Sequence, residues 1–435
     1  MAPVNILRVI GASAVATCIT FSAFTQPLPK ASNPEDVGFA AERLKRLTDV
    51  VRNDVDKVAI PGAVMLIARN GKIAFVEAIG FADREEKIAM KPDAIFRIAS
   101  MSKPITSVAI MMLAEEGKLL LDNPVSLYLP ELKNLKVGIE KVDAATGKPS
   151  LSLEPARREI TIQDLLRHTS GLTYGIFGKS LVKQTYIDAK VGDPGDKLSE
   201  FVTKIAQLPL AYHPGSTWDY SISTDVLGRV VEVISGMDFD QFITTRITKP
   251  LGMPDTAFHV PAENLGRVAE PQVDVSTGTR PTMRDVAKRP NFLSGGGGMV
   301  STAADYARFC QMLLNGGELD GVRILARKTV AYMTSDHLSP DIAFDPVAVN
   351  VFGAIAPMPE RGQGFGLGFA VRKDPGRNPL PGSPGEFYWV GATGPAFWID
   401  PAEKLFAIWM LQAPLSQTRH YRGIFRNLVY QALTN

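Results

Sequence analysis

Two short apolar runs, 62–68 and 72–79, flank Asn70-Gly71, and no other feature restricts the folding of this chain more. An Asn-Gly pair accepts the positive φ angles of a tight turn, so the runs beside it close into an antiparallel hairpin. A hairpin alone is marginal in water and must pair further. Partner strands come at the far end of the chain, in the stretches 364–372, 386–391, 396–399 and 405–411, the last two joined by Asp400-Pro401-Ala402-Glu403. Between the two groups the apolar spacing becomes helical, over 103–116 ended by Gly117, 162–168 ended near Gly171, 224–234 ended by Gly236 and 303–315 ended by Gly316. Residues 40–55 and 420–433 carry the same spacing. The expectation is an α+β fold: an antiparallel sheet from both chain ends, flanked by the terminal helices, around a mainly helical inserted region. In residue terms 27–115 and 350–435 form the sheet region, 116–349 forms the helical region, and together they make one unit. No repeat of fixed period occurs, and the low-complexity piece is Gly295-Gly296-Gly297-Gly298.

Composition excludes several classes of function. With 47 basic and 45 acidic side chains, a formal charge of +2 and no clustering, the chain has no field for a polyanion, and nucleic acid is excluded as a partner. Residues 9–24 carry no charge, follow a single Arg8 and precede Thr25-Gln26-Pro27. That run falls short of the ~20 apolar residues of a membrane span, and no later stretch is as long. Residues 1–26 read as an export signal, giving a periplasmic or secreted protein; the alternative is a cytoplasmic protein with an uncleaved helix packed on it. Removal of the signal would take Cys18 away and leave Cys310 as the remaining cysteine, so no internal disulfide is available. Cys310 lies in a helical pattern and reads as a small buried apolar residue.

The chemistry-bearing segment is Ser100-Met101-Ser102-Lys103-Pro104, entered from the strand-like Ala94-Ile95-Phe96-Arg97. Residues three apart share a helix face, so Lys103 would stand beside the Ser100 hydroxyl. Pro104 fits a first helical turn, whose N–H groups lack intrahelical partners and whose dipole favours an alkoxide or oxyanion. A serine hydroxyl is a weak nucleophile until a base takes its proton, and lysine serves only when its surroundings keep it neutral. Tyr220 ends the turn-rich loop 212–221 just ahead of a helix, where a phenol can project into a cleft as a second base. Further on, Tyr388-Trp389-Val390-Gly391-Ala392-Thr393-Gly394 places small residues at a strand end, where backbone can approach a substrate and offer an N–H.

Ser100-x-x-Lys103, Tyr220-Ser221-Ile222 and Trp389-Val390-Gly391, in that order, resemble the three active-site motifs of the serine β-lactamase and penicillin-binding-protein superfamily, and most of all those of the family VIII carboxylesterases, which are similar to class C β-lactamases. The segments 165–172, 295–302 with Asp305, and 397–401 resemble the framework of that family, so the likeness runs over about residues 35–430. The resemblance implies one catalytic unit of the β-lactamase/transpeptidase type in which Ser100 becomes acylated and Lys103 and Tyr220 move its proton. It leaves open which of the pair takes the proton first. It also implies an oxyanion hole from the backbone N–H groups of Ser100 and Ala392, with Trp389, Gly391 and Ile222 contacting substrate.

Two departures bear on the substrate. Where a β-lactamase typically has Asn in the second motif this chain has Ile222, and where it typically has a cation in the third this chain has Trp389. Neither can hold the amide or carboxylate of a β-lactam, whereas an aromatic wall suits a neutral ester. The expected activity is hydrolysis of short- to medium-chain acyl esters through an acyl-enzyme, with weak cephalosporin turnover. The alternatives are a β-lactamase or D-amino-acid peptidase, which nitrocefin turnover or D-Ala release would reveal, and a catalytically silent binding protein, which would not react with a fluorophosphonate.

Other candidates carry blander readings. His168 and Asp164 could suggest a Ser-His-Asp triad, but Thr161-x-x-Asp164 reads as a helix cap and His168 as a cation in the last turn of that helix. The histidines show no metal-binding spacing, so no metal and no cofactor is expected. Residues 295–298 lack the Lys-Ser/Thr of a phosphate loop and read as a flexible turn beside the cleft. The stretch 175–208 is expected to line or cover the cleft. The partner implied is a small-molecule ester; no stable membrane span and no obligate protein partner is evident.

Overall fold

The computed structural model describes residues 27–142, 144–274, 277–413 and 415–435; the expected export signal at 1–26, with Cys18, lies outside them. Among the described residues no helix is long and apolar enough to cross a membrane. An eight-stranded sheet runs in the order Gln363–Phe365, Ala370–Arg372, Phe387–Val390, Ala396–Asp400, Leu405–Met410, Gly62–Arg69, Lys72–Asp83, Ile88–Ala89. The join between chain ends is antiparallel, with Val64 opposite Met410 and Arg69 opposite Leu405. The Asn70-Gly71 hairpin forms as its turn chemistry requires, pairing Arg69 with Lys72.

Both faces of the central strands are covered, so Leu405–Met410 and Gly62–Arg69 are buried throughout. Side-chain alternation divides the load. Phe397 meets Tyr306 of the Ala303–Leu314 helix at 4.9 Å between ring centroids, while its neighbour Trp398 meets Phe425 of the Leu415–Tyr430 helix at 5.3 Å on the opposite face. Ala41–Asp56 lies with Leu415–Tyr430, and the two terminal helices shield that face. Cys310 sits in the Ala303–Leu314 helix and is fully buried, the place expected for it.

Ser102–Glu115 is the central helix. Every residue from Ser102 to Leu113 is buried, because the Ser223–Ser235 helix packs along it. That position explains why its sequence lacks a polar stripe.

Three elements differ from expectation. The stretch 364–372 is two strands, Gln363–Phe365 and Ala370–Arg372, folded back on each other through Gly366-Leu367-Gly368, with the Gly366 N–H donating to Phe369 O at 2.8 Å. The inserted region also contains a long hairpin, Lys136–Val142 with Pro149–Pro155, whose mostly exposed strands carry little apolar signal. Finally, the helix expected over 162–168 ends early, as Ile162–Leu166.

Beneath the outer face Glu386 is fully enclosed between Arg372, whose Nε lies 2.7 Å away, and Arg426 of the terminal helix. A carboxylate so placed is tolerable only while both cations hold it. Glu386→Ala would leave two buried guanidinium groups unpaired and should cost about 3–5 kcal/mol of stability, measured by urea unfolding.

Candidate active site

Ser100 owes its position to a strained approach. Phe96–Arg97 pairs with Val300–Ser301; the chain then passes Ala99, whose φ of 44° lies in the left-handed region, before a short turn feeds the Ser102–Glu115 helix. A non-glycine residue there costs about 1–3 kcal/mol. The turn delivers Ser100 to a cavity of about 480 Å³, shared with Tyr220, Ile222, Asp225, Gly296 and Ala392.

Lys103 is 1% exposed. Its Nζ lies 3.3 Å from Ser100 Oγ, 3.2 Å from the Tyr174 hydroxyl and 2.6 Å from Gly296 O. A carbonyl only accepts, so Nζ commits one N–H to Gly296 and turns its other positions to Ser100 and Tyr174. The same nitrogen stands 4.6 Å from the ring centroid of Tyr220. Ser100, Lys103 and Tyr220 are thus gathered at one place from segments more than a hundred residues apart in sequence.

Trp389 takes a different position from the cleft wall expected of it. It is fully buried and stands behind Tyr220, with ring centroids 5.3 Å apart and Nε1 donating to the Tyr220 hydroxyl at 3.4 Å. It faces the same side of the sheet as Phe397, its cross-strand partner, which directs the indole into the core. Ile222 and Ala392 do line the cavity. Gly391 acts by closeness instead: a Cβ there would come 2.5 Å from Ile98 O, so only glycine lets the third-motif strand end reach the Ser100 turn.

Two residues of the site, Tyr174 and Asp225, carry no signal in the sequence, and Gly296 carries one only as part of the turn 295–298. Tyr174 contacts Lys103, and its phenol is pushed well above its usual range by burial and by Asp225 and Tyr220, so it stays protonated. Asp225 accepts from Ser294 Oγ at 2.5 Å and from the Gly296 N–H at 2.9 Å; burial raises its pKa, against an opposing pull from Lys103. Gly296, read above as part of a flexible turn, is held by that carboxylate and by Lys103. A Cβ at Gly296 would lie 2.7 Å from Asp225 Oδ2, which is why glycine stands there.

His168 is neither a triad member nor a cation at a helix end. It adopts a φ of 59° beyond the helix, is 1% exposed, and its Nδ1 accepts from the Ser221 N–H at 3.3 Å. Burial first, and the nearby Lys103 charge second, hold its pKa well below the ordinary histidine value. The neutral ring backs Tyr220 at 4.9 Å. Asp164 forms the expected cap with Thr161 and pairs with Arg158 and Arg167 rather than with His168. Among the described residues no group of three or more His, Cys, Asp or Glu is placed to hold a metal ion.

The pattern defining the Beta-lactamase family matches residues 47–431. The chain belongs to the Beta-lactamase family. Within it, an uncharacterised protein of Mycobacterium tuberculosis is 36% identical over 368 residues, covering 83% of this chain and 88% of the relative. Esterase EstB of Burkholderia gladioli is 31% identical over 384 residues, with the same two shares. Among solved structures EstCE1, described as a hydrolase with promiscuous acyltransferase activity, superposes with a TM-score of 0.74 at 28% identity, covering 89% of this chain and 99% of its own. This Beta-lactamase family member therefore matches its relatives over nearly their whole length.

The His168 environment makes a pH prediction. Unfolded histidine binds a proton below about pH 6.5, and the buried ring does not, so its contribution is complete above that pH and is lost as pH falls below it. In His168→Asn, whose side chain suits the left-handed backbone, the fall in unfolding free energy between about pH 6 and 5 should be smaller by up to about 1.4 kcal/mol per pH unit, read from denaturant titrations of both proteins.

Proposed function

We propose that the protein is a serine carboxylesterase of the family VIII type, hydrolysing neutral short- to medium-chain acyl esters through an acyl-enzyme on Ser100. The observation that carries this reading is Lys103 Nζ at 3.3 Å from Ser100 Oγ in a water-poor setting, opening on an apolar cavity. EstB is named an esterase and EstCE1 a hydrolase, which supports the same chemistry here.

In the proposed cycle Ser100 Oγ attacks the ester carbonyl as its proton passes to the Lys103–Tyr220 pair. The carbonyl oxygen becomes an oxyanion facing the N–H groups of Ser100 and Ala392. Collapse breaks the bond to the alcohol, which leaves with the proton held by the pair. Water then attacks the acyl-Ser100 ester, gives a proton to the same pair and releases the acid, restoring the Ser100 hydroxyl. Tyr174, kept protonated, and Gly296 O hold Nζ in place throughout. Tyr220 in turn is braced by Trp389 and His168.

Cavity walls from Ile176, Phe177, Phe201 and Phe292 favour an apolar acyl or alcohol group. Ile222 offers no amide and Trp389 no cation to a β-lactam, so cephalosporin turnover is weak in this reading. The uncharged run 9–24 supports export as part of the proposal.

Purified protein should hydrolyse p-nitrophenyl esters from acetyl to octanoyl much faster than nitrocefin. Ser100→Ala should abolish turnover and labelling by a fluorophosphonate; undiminished activity in that variant would overturn the assignment. Lys103→Ala and Tyr220→Phe should each lower kcat/KM by about 10²–10⁴-fold, the usual worth of a positioned proton-transfer group. An acylation burst retained in either would confine that residue to deacylation.

A further inference from the structure

The two backbone donors assigned to the oxyanion belong to separate segments: Ser100 follows the Phe96–Arg97 strand, and Ala392 follows the Phe387–Val390 strand. Neither donor's own side chain joins these segments. What does so is a cluster of hydrogen bonds one residue beyond Ala392. Thr393 Oγ1 donates to Arg97 O at 2.9 Å. Gln412, 1% exposed just past the Leu405–Met410 strand, accepts from the Arg97 N–H through Oε1 at 3.1 Å. Its Nε2 lies 3.3 Å from Arg97 O, 3.3 Å from Thr393 O and 3.2 Å from Leu411 O. The Ala413 N–H adds a bond to Thr393 O at 2.9 Å, and from the other side the Arg422 guanidinium donates to Gly391 O and, at 3.4 Å, to Pro395 O.

The turn 391–394 is therefore tied to the strand that launches Ser100 by side chains that do not line the cavity. We propose that Gln412 and Thr393 are positioning residues that set the distance between the Ser100 and Ala392 N–H groups and so fix the oxyanion hole. The inference rests on the esterase reading above. Its physical basis is that an amide side chain presents a donor and an acceptor in one rigid plane. Gln412 uses both on Arg97, and the same Nε2 faces Thr393, so a shift of either segment breaks bonds in the cluster. A hole that is preformed needs no reorganisation when charge develops on the substrate oxygen, and an error of about 1 Å costs on the order of 10²-fold in rate.

The test is steady-state hydrolysis of p-nitrophenyl butyrate, together with the turnover ratio of a matched oxoester and thionoester, whose sulfur accepts hydrogen bonds poorly. Gln412→Met keeps the side-chain length and removes both polar groups; Thr393→Val keeps the shape and removes the hydroxyl. Each should lower kcat about 10- to 100-fold with KM within about twofold, and should lower the oxoester-to-thionoester ratio by a similar factor. Thr393→Ser should recover most of what Thr393→Val loses. If Gln412→Met does not fold, the Thr393 pair decides alone. A kcat within twofold of wild type in Thr393→Val, a loss with an unchanged ratio, or no recovery in Thr393→Ser overturns the proposal. Absence of ester turnover in the wild-type protein would instead remove the esterase reading itself.

Discussion

The pairing of Gly62–Arg69 with Leu405–Met410 is the constraint on which the rest depends. It joins the first and last strand groups into one sheet and encloses everything between them in a single loop of chain. Burial on both faces makes those two strands the centre of the apolar core, where each large side chain removed from water contributes roughly 1.5–3 kcal/mol. The Ser102–Glu115 helix starts at the margin of this sheet and runs into the helical region. Its N-terminal turn is thus held between the two, and the cavity opens there.

Within the site, local electrostatics follow from burial. Asp225 and Lys103 are both buried without touching in an ion pair; the Gly296 peptide stands between them, giving its N–H to the carboxylate and its carbonyl oxygen to the amine. A peptide group in that place transmits orientation without fixing both charges. Tyr174 and His168, both uncharged through burial, line the remaining sides of the reactive groups. The arrangement leaves the Lys103 amine as the side-chain nitrogen in direct reach of the Ser100 hydroxyl among the contacts described. Gly391 packs closely against the carbonyl that precedes the strained Ala99.

Much of this was legible in the chain. Turn chemistry at Asn70-Gly71 exposes the hairpin, and the helical three-residue spacing pairs Ser100 with Lys103, because both are local effects. The partners of Lys103 are not local. Tyr174 is 71 positions away and Gly296 is 193, and no periodicity encodes contacts formed by packing of separate elements. Trp389 shows a related gap: its place in an apolar strand was readable, but which face of the sheet it would take depends on register with Phe397. The early end of the Ile162–Leu166 helix was likewise hidden, since it follows from His168 being drawn into the core behind Tyr220. Residues 136–155 escaped notice because a mostly solvated hairpin shows weak apolar alternation.

Leu405–Met410 also imposes an order on biosynthesis. Chain emerging from the ribosome holds the Ser100 segment long before the central strand exists, so the sheet, the turn at Ala392 and the packed site are completed only once Leu405–Met410 is free to pair with Gly62–Arg69. Such late, long-range closure makes for slow folding.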